Sequence, residues 1–265
     1  MADGQRWLIT GVSSGIGAAL ARAVLAQGHT VVGCARDAAA LAAFEAAAPG
    51  RAIALKLDLS RTDEVGPAVS RVLEGGPLEV VVSNAGQSLF GAFEETSIAE
   101  ARQLFDVNVF GPWALAQAAL PHFRARGGGQ IVHISSGCGL TGMAGLSAYS
   151  ASKFALEGFS EALAQEIAAF GIRLMLVEPG AVATRFISHG TREAAARMAD
   201  YAFLSGQGKA PLEAYYGAAA SPPEAVAEAI LAALATPEPP LRLLVGEDVK
   251  GAVGAKADQL AALSG

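Results

Sequence analysis

A strand-like apolar run, Trp7-Leu8-Ile9, leads straight into Thr10-Gly11-Val12-Ser13-Ser14-Gly15-Ile16-Gly17. That octet opens a helical stretch from about Gly15 to Gln27, stopped by Gly28. Glycines in a strand-to-helix turn allow a tight bend and let a ligand approach the main chain closely. The start of a helix adds free N–H groups and the positive end of the helix dipole. Strand, glycine turn and helix start together predict a site for a pyrophosphate, whereas the glycines alone would mark an ordinary turn.

The alternation continues along the chain. Thr30 to Cys34, Ala52 to Leu57, Val80-Val81-Val82, Gln130 to Ile134, Ile172 to Val177 and Leu241 to Val245 read as further strands. Asp37 is placed to cap a following helix. Residues 97 to 125 pattern as mostly helical with an interruption near Gly111-Pro112, Tyr149 to Phe170 as one long helix, and Pro223 to Ala235 as another. Strands alternating with helices predict a parallel sheet, and near-continuous apolar strands fit burial on both faces. The expected fold class is therefore α/β, a doubly wound parallel sheet of about seven strands with helices on both faces. Residues 185 to 221 break the pattern, with four glycines, the adjacent pair Tyr215-Tyr216 and little apolar periodicity. A long irregular stretch in a compact domain predicts a lid or binding loop, with a disordered surface excursion as the alternative.

Composition limits the function classes. A hydrophobic fraction of 52% against 17% charged residues over 265 residues predicts one globular domain with a well-buried core. The net charge of -6, with no basic run, argues against non-specific binding to nucleic acid or an anionic membrane. Cys34, Cys138 and the four histidines match no disulfide or metal spacing, so the cysteines are expected to be small buried hydrophobes and no metal site is expected. The chain enters a strand within six residues, with no leader pattern and no apolar run of membrane-spanning length. A soluble cytoplasmic protein is expected.

The second informative stretch is Tyr149-Ser150-Ala151-Ser152-Lys153, with Ser136 thirteen residues earlier. On a helix Tyr149 and Lys153 share a face. A cation beside a phenol lowers its pKa from about 10, which predicts a tyrosine that gives or takes a proton at ordinary pH. The end of the second strand, Cys34-Ala35-Arg36-Asp37, bears on the nucleotide. An acidic residue there would accept hydrogen bonds from ribose hydroxyls, whereas an arginine pairs with a 2′-phosphate. Arg36, with a hydroxyl added by Ser14, favours NADP over NAD. Asp37 weakens that preference if it turns to the ribose instead of capping its helix.

Over roughly residues 5 to 246 the chain resembles the short-chain dehydrogenase/reductase family, closest to its NADP-preferring carbonyl and hydroxysteroid reductases. Thr10 to Gly17 matches the family's cofactor loop, including Gly11, Ser13, Ser14, Gly15, Ile16 and Gly17. Asp58-Leu59 matches the segment at the adenine. Ser83-Asn84-Ala85-Gly86 matches the Asn-Asn-Ala-Gly motif with serine first, and Pro179-Gly180 through Val182 and Thr184 matches the segment lining the nicotinamide. Asn108, Ser136, Tyr149 and Lys153 match the catalytic tetrad. The resemblance implies a single Rossmann-type domain over residues 1–265. It implies NADP as the preferred cofactor, with NAD as the second choice, and hydride transfer between nicotinamide and a ketone or secondary alcohol. In this scheme Tyr149 is the acid/base, Ser136 binds the substrate oxygen, Lys153 serves both the phenol and the nicotinamide ribose, and Asn108 supports a water chain. A homodimer or homotetramer is implied.

The pocket walls are expected near Gln87 to Phe90, Gly137 to Leu146 and in 185–221. Their apolar content and the lack of a charged clamp predict a neutral, apolar carbonyl substrate. Two other classes bear on the same residues. A nucleotide-binding sensor without catalysis would be expected to lose Tyr149 or Lys153, and both are present. A lyase or epimerase on this fold would need other acid/base groups in 185–221, where His189, Glu193, Asp200 and Glu213 stand.

Overall fold

Trp7 and Ile9 of β1 (Arg6–Thr10) pack into one hydrophobic cluster and Leu8 into another, so the two faces of a single strand feed two cores. The structure, a computed structural model, describes residues 4–263. After β1 come α1 (Gly15–Ala26), β2 (Thr30–Ala35), α2 (Ala38–Ala47), β3 (Ala52–Lys56), α3 (Thr62–Glu74), β4 (Val80–Ser83) and β5 (Ser88–Phe90). The middle of the chain forms α4 (Ile98–Phe105), α5 (Gly111–Arg126), β6 (Gly129–Ile134), α6 (Ser147–Ile167) and β7 (Ile172–Pro179). The remainder forms β8 (Thr191–Glu193), α7 (Ala202–Ser205), α8 (Ala210–Ala219), α9 (Pro223–Leu234), β9 (Arg242–Val245) and α10 (Glu247–Ala261).

Seven strands form one parallel sheet in the order β3-β2-β1-β4-β6-β7-β9. Leu20 and Val24 of α1 and Val226 and Ile230 of α9 cover the face that carries Trp7 and Ile9. Val65 and Val69 of α3 and Leu115 and Phe123 of α5 cover the other. Removing each such side chain from water contributes about 1.5–3 kcal/mol. The strand order reverses direction between β1 and β4, and in open α/β sheets ligands bind beyond the carboxyl ends of the strands at that switch.

The structure departs from the sequence expectation in four places. α3 was not expected. Its buried Val65, Ala68, Val69 and Val72 have helical spacing, but Gly66-Pro67 interrupts the reading. α10 was also not expected, because it buries little apart from Val249. Residues 185–221 are largely ordered, holding β8, α7 and α8, and β8 pairs with β5 in a separate two-stranded sheet. The break in the 97–125 helical region is a π-helical turn, Asp106–Phe110, and Pro112 lies in the first turn of the helix that follows. Among the described residues no helix is long and apolar enough to cross a membrane, and no group of three His, Cys, Asp or Glu side chains could hold a metal.

Candidate active site

The glycine turn is braced from behind. Asn84 Nδ2 donates to the Thr10 carbonyl at 2.8 Å, and Thr10 Oγ1 accepts the Asn84 and Ala85 N–H groups at 2.9 and 3.0 Å. Gly11 has a φ of +76°, in the left-handed region. A Cβ on Gly17 would lie 2.3 Å from Asn84 Nδ2 and 2.4 Å from the Gly11 carbonyl oxygen, so only glycine allows α1 to start this close to the turn. Asn84 is thus a brace for the main chain. Ser14 holds the N-cap position of α1 with no side-chain hydrogen bond to the first turn. The positive end of that helix is left for an anion.

This turn opens onto a cleft of about 440 Å³ running across the switch point. Gly11, Ser13, Ser14, Gly15 and Ile16 line one end, with Arg36, Asp58 and Leu59 beside them. Asn84, Ala85 and Gly86 line the middle, and Pro179, Gly180, Val182 and Thr184 the far wall. Ser136, Tyr149 and Lys153 line it too. Gly17 and Asn108 do not, and stand behind the wall. Asp37 caps α2, accepting the Ala40 N–H at 2.7 Å, and so does not turn to a ribose. Arg36 is exposed, and among the described residues its guanidinium has no hydrogen-bond or ion-pair partner. Asp58 Oδ1 is held by the Ser60 N–H and hydroxyl at 3.0 and 2.9 Å.

At the other end Tyr149, Lys153 and Ser152 project from α6. Asn108 sits in the π-helical turn, a device that recurs at functional sites. Asn108 Oδ1 accepts the Gln87 N–H at 2.9 Å, and its Nδ2 donates to the Gln87 carbonyl at 2.8 Å and to Ser152 Oγ at 3.0 Å. Ser152 Oγ donates in turn to the Tyr149 carbonyl at 2.7 Å. This chain ties the turn after β4 to the helix that carries the tyrosine. Ser136, at the end of β6, accepts the Cys138 N–H at 3.1 Å.

Lys153 Nζ donates to the Ile134 carbonyl at 2.8 Å and lies 5.9 Å from the centre of the Tyr149 ring. Burial lowers the lysine to about 8, while Glu157 one turn along pulls it back up. Burial also pushes the Tyr149 phenol well above its ordinary value, with Ser136 pulling the other way. The phenol is therefore not lowered by the lysine as the helical spacing predicts. Desolvation of a nearly fully buried phenol is the larger effect, and the ammonium is turned to a backbone oxygen.

Several lining residues had no clear sequence signal. Val107, Ile134 and Ser135 enter the wall through strand and turn geometry, while Arg185, Phe186, His189 and Tyr216 come from the 185–221 segment that was expected to supply it. Gln87 lines the cleft as expected, but Ser88 to Phe90 and residues 137–146 do not. Cys138 and Leu146 pack behind Tyr149 instead. The glycine cradle, the open helix start and the row of polar groups toward Lys153 fit a nicotinamide dinucleotide.

A family model described as short chain dehydrogenase matches residues 5–194. The chain belongs to that family. Oxidoreductase BOA17 of Botryotinia fuckeliana is 34% identical over 258 residues, covering 97% of this chain and 94% of the relative. A solved short-chain dehydrogenase from Streptomyces avermitilis superposes with a TM-score of 0.91 at 41% identity, covering 99% of this chain and 95% of that one. A metagenomic short-chain oxidoreductase, solved in complex with NADP, gives a TM-score of 0.73 at 32% identity over 92% of this chain and 97% of that one. The protein is thus an oxidoreductase of the short-chain dehydrogenase family, built to use a nicotinamide cofactor on a small molecule.

Proposed function

We propose that this short-chain dehydrogenase is an NADP-preferring oxidoreductase that interconverts a ketone and a secondary alcohol, with Tyr149 as general acid/base. The observation that carries the reading is the convergence of Ser136, Tyr149 and Lys153 on one end of a cleft whose other end is the glycine turn and Arg36. The helix start at Ser14 to Ile16 would hold the pyrophosphate, Arg36 the 2′-phosphate, Lys153 the nicotinamide ribose, and the Pro179 to Thr184 wall the nicotinamide. When bound there, the cofactor supplies or accepts the hydride.

In reduction, Tyr149 delivers its proton to the substrate oxygen as the carbonyl carbon gains hydride, and Ser136 donates a hydrogen bond to the same oxygen. A high phenol pKa keeps the proton in place until charge develops on that oxygen. Lys153 and the turn held by Asn108 connect the phenol to the solvent side for its return. In oxidation the steps reverse, with the phenolate taking the alcohol proton.

Phe186, its ring 5.9 Å from that of Tyr149, and the ring of Tyr216 line the cleft, which supports a neutral, largely apolar substrate. Arg185 and His189 line the cleft but are exposed. Of the four acid/base side chains that an epimerase or lyase could use in 185–221, only His189 lines the cleft, so the redox reading is favoured. Exposed Phe110, Trp113 and Phe154 lie on the π-helical turn, α5 and α6, and support a homodimer or homotetramer through these elements. Consumption of NADPH with a broad panel of aldehydes and ketones tests the activity. Turnover with at least one class is expected, and none across the panel contradicts it.

A further inference from the structure

We propose that the Tyr216 hydroxyl binds a second oxygen of the substrate, so that the preferred compounds are neutral diketones or hydroxyketones rather than simple ketones. The proposal rests on the reductase reading above and specifies its substrate class. Tyr216 belongs to α8 and reaches the cleft from the segment laid over it. Its ring is half-buried against the apolar cluster that surrounds Tyr149, and Tyr215 packs against it edge-on at 5.5 Å. Ring packing alone would be served by phenylalanine. The hydroxyl has no hydrogen-bond partner among the described residues.

The hydroxyl is open to a ligand that enters the cleft, and a hydrogen bond to it contributes about 0.5–1.5 kcal/mol. Burial pushes the Tyr216 phenol well above its ordinary range, so it stays protonated and acts as a donor. Tyr149 and Tyr216 line the same cleft and belong to the same apolar cluster, which places the two phenols in one pocket. Tyr149 and Ser136 occupy the reacting oxygen, and Tyr216 is left for another. Hydrophobic walls discriminate weakly between substrates of similar shape, whereas a hydrogen-bonding group in the wall discriminates against the analogue that lacks its partner.

The test compares neutral diketones and hydroxyketones of several oxygen spacings with the monoketone of the same skeleton, in wild type and Tyr216→Phe. In wild type at least one oxygenated compound should exceed the monoketone by about tenfold or more in kcat/KM. Tyr216→Phe should remove that preference while leaving the monoketone within about twofold. Absence of any preference in wild type, its survival in the variant, or an equal loss for both compounds overturns the assignment. Calorimetric binding of the corresponding alcohols to the NADP complex separates the two claims. An affinity difference that depends on Tyr216 without NADPH consumption contradicts only the reductase reading, and turnover without the difference contradicts only the role of Tyr216.

Discussion

Lys153 Nζ donates its hydrogen bond to the Ile134 carbonyl at 2.8 Å instead of to the Tyr149 phenol one turn away. The buried ammonium has a pKa lowered to about 8 from the ordinary 10.5. Below pH 8 the lysine is charged in both folded and unfolded chains, and its burial counts against the fold. Between pH 8 and 10.5 the folded form has released the proton and the unfolded chain still holds it, so stability rises with pH across this window. The wild type should therefore gain stability relative to Lys153→Met between pH 7.5 and 10. Urea denaturation of the cofactor-free proteins measures it, and parallel pH curves would show that the lysine titrates normally.

Among the described residues Arg36 has no partner, and Asp37 has turned away from it to cap α2. Arg36→Ala should weaken NADPH binding about tenfold, the loss of one charge-assisted contact at an exposed site, and leave NADH within about twofold. Fluorescence titration of both nucleotides reads this directly. Equal wild-type affinities for NADPH and NADH would remove the preference altogether.

The glycine turn and the placement of Tyr149 and Lys153 on one helix were legible in the sequence because each is local, set by neighbours within eight residues. The lysine geometry was not, since its acceptor comes from β6, nineteen residues away in the chain. β5 and β8 escaped for the same reason, as Ser88 pairs with Thr191 and neither three-residue strand has a pattern of its own. Asn108 carried a family match, yet its role as a tie between the Gln87 backbone and Ser152 depends on a π-helical turn that no periodicity announces.

α10 was also missed, and it reaches the site. Asp248 in its first turn accepts the Ala181 N–H at 2.7 Å, beside the Pro179-Gly180 wall. Asp248→Ala should lower stability by about 1–3 kcal/mol and weaken NADPH binding several-fold, whereas Asp248→Asn keeps an acceptor oxygen and most of both. Thermal melts and nucleotide titration of the two variants test this, and an alanine variant equal to wild type would detach α10 from the cleft.

Arg242 ties three acids together. It pairs with Glu157, with Glu178 at 2.8 Å and with Glu161 at 2.6 Å, and Glu178 is fully buried. Burial raises Glu178 to about 7 from 4.5, and the neighbouring Glu157 adds to the rise. Arg242→Met should cost about 3 kcal/mol at pH 7, because it leaves buried carboxylates without a cation. The deficit should shrink at pH 5, where the folded form holds a proton that the unfolded chain, titrating near 4.5, gives up more readily. Denaturation at both pH values decides it, and an equal deficit at both would assign the cost to packing alone.

In the proposed reaction Tyr149 moves the proton. The most direct measurement is the kcat/KM of Tyr149→Phe with a ketone that the wild type reduces, alongside its NADPH dissociation constant. A fall of about 10³-fold in kcat/KM is expected, the scale of a lost general acid, with nucleotide affinity within about twofold of wild type. Activity retained within tenfold would contradict it.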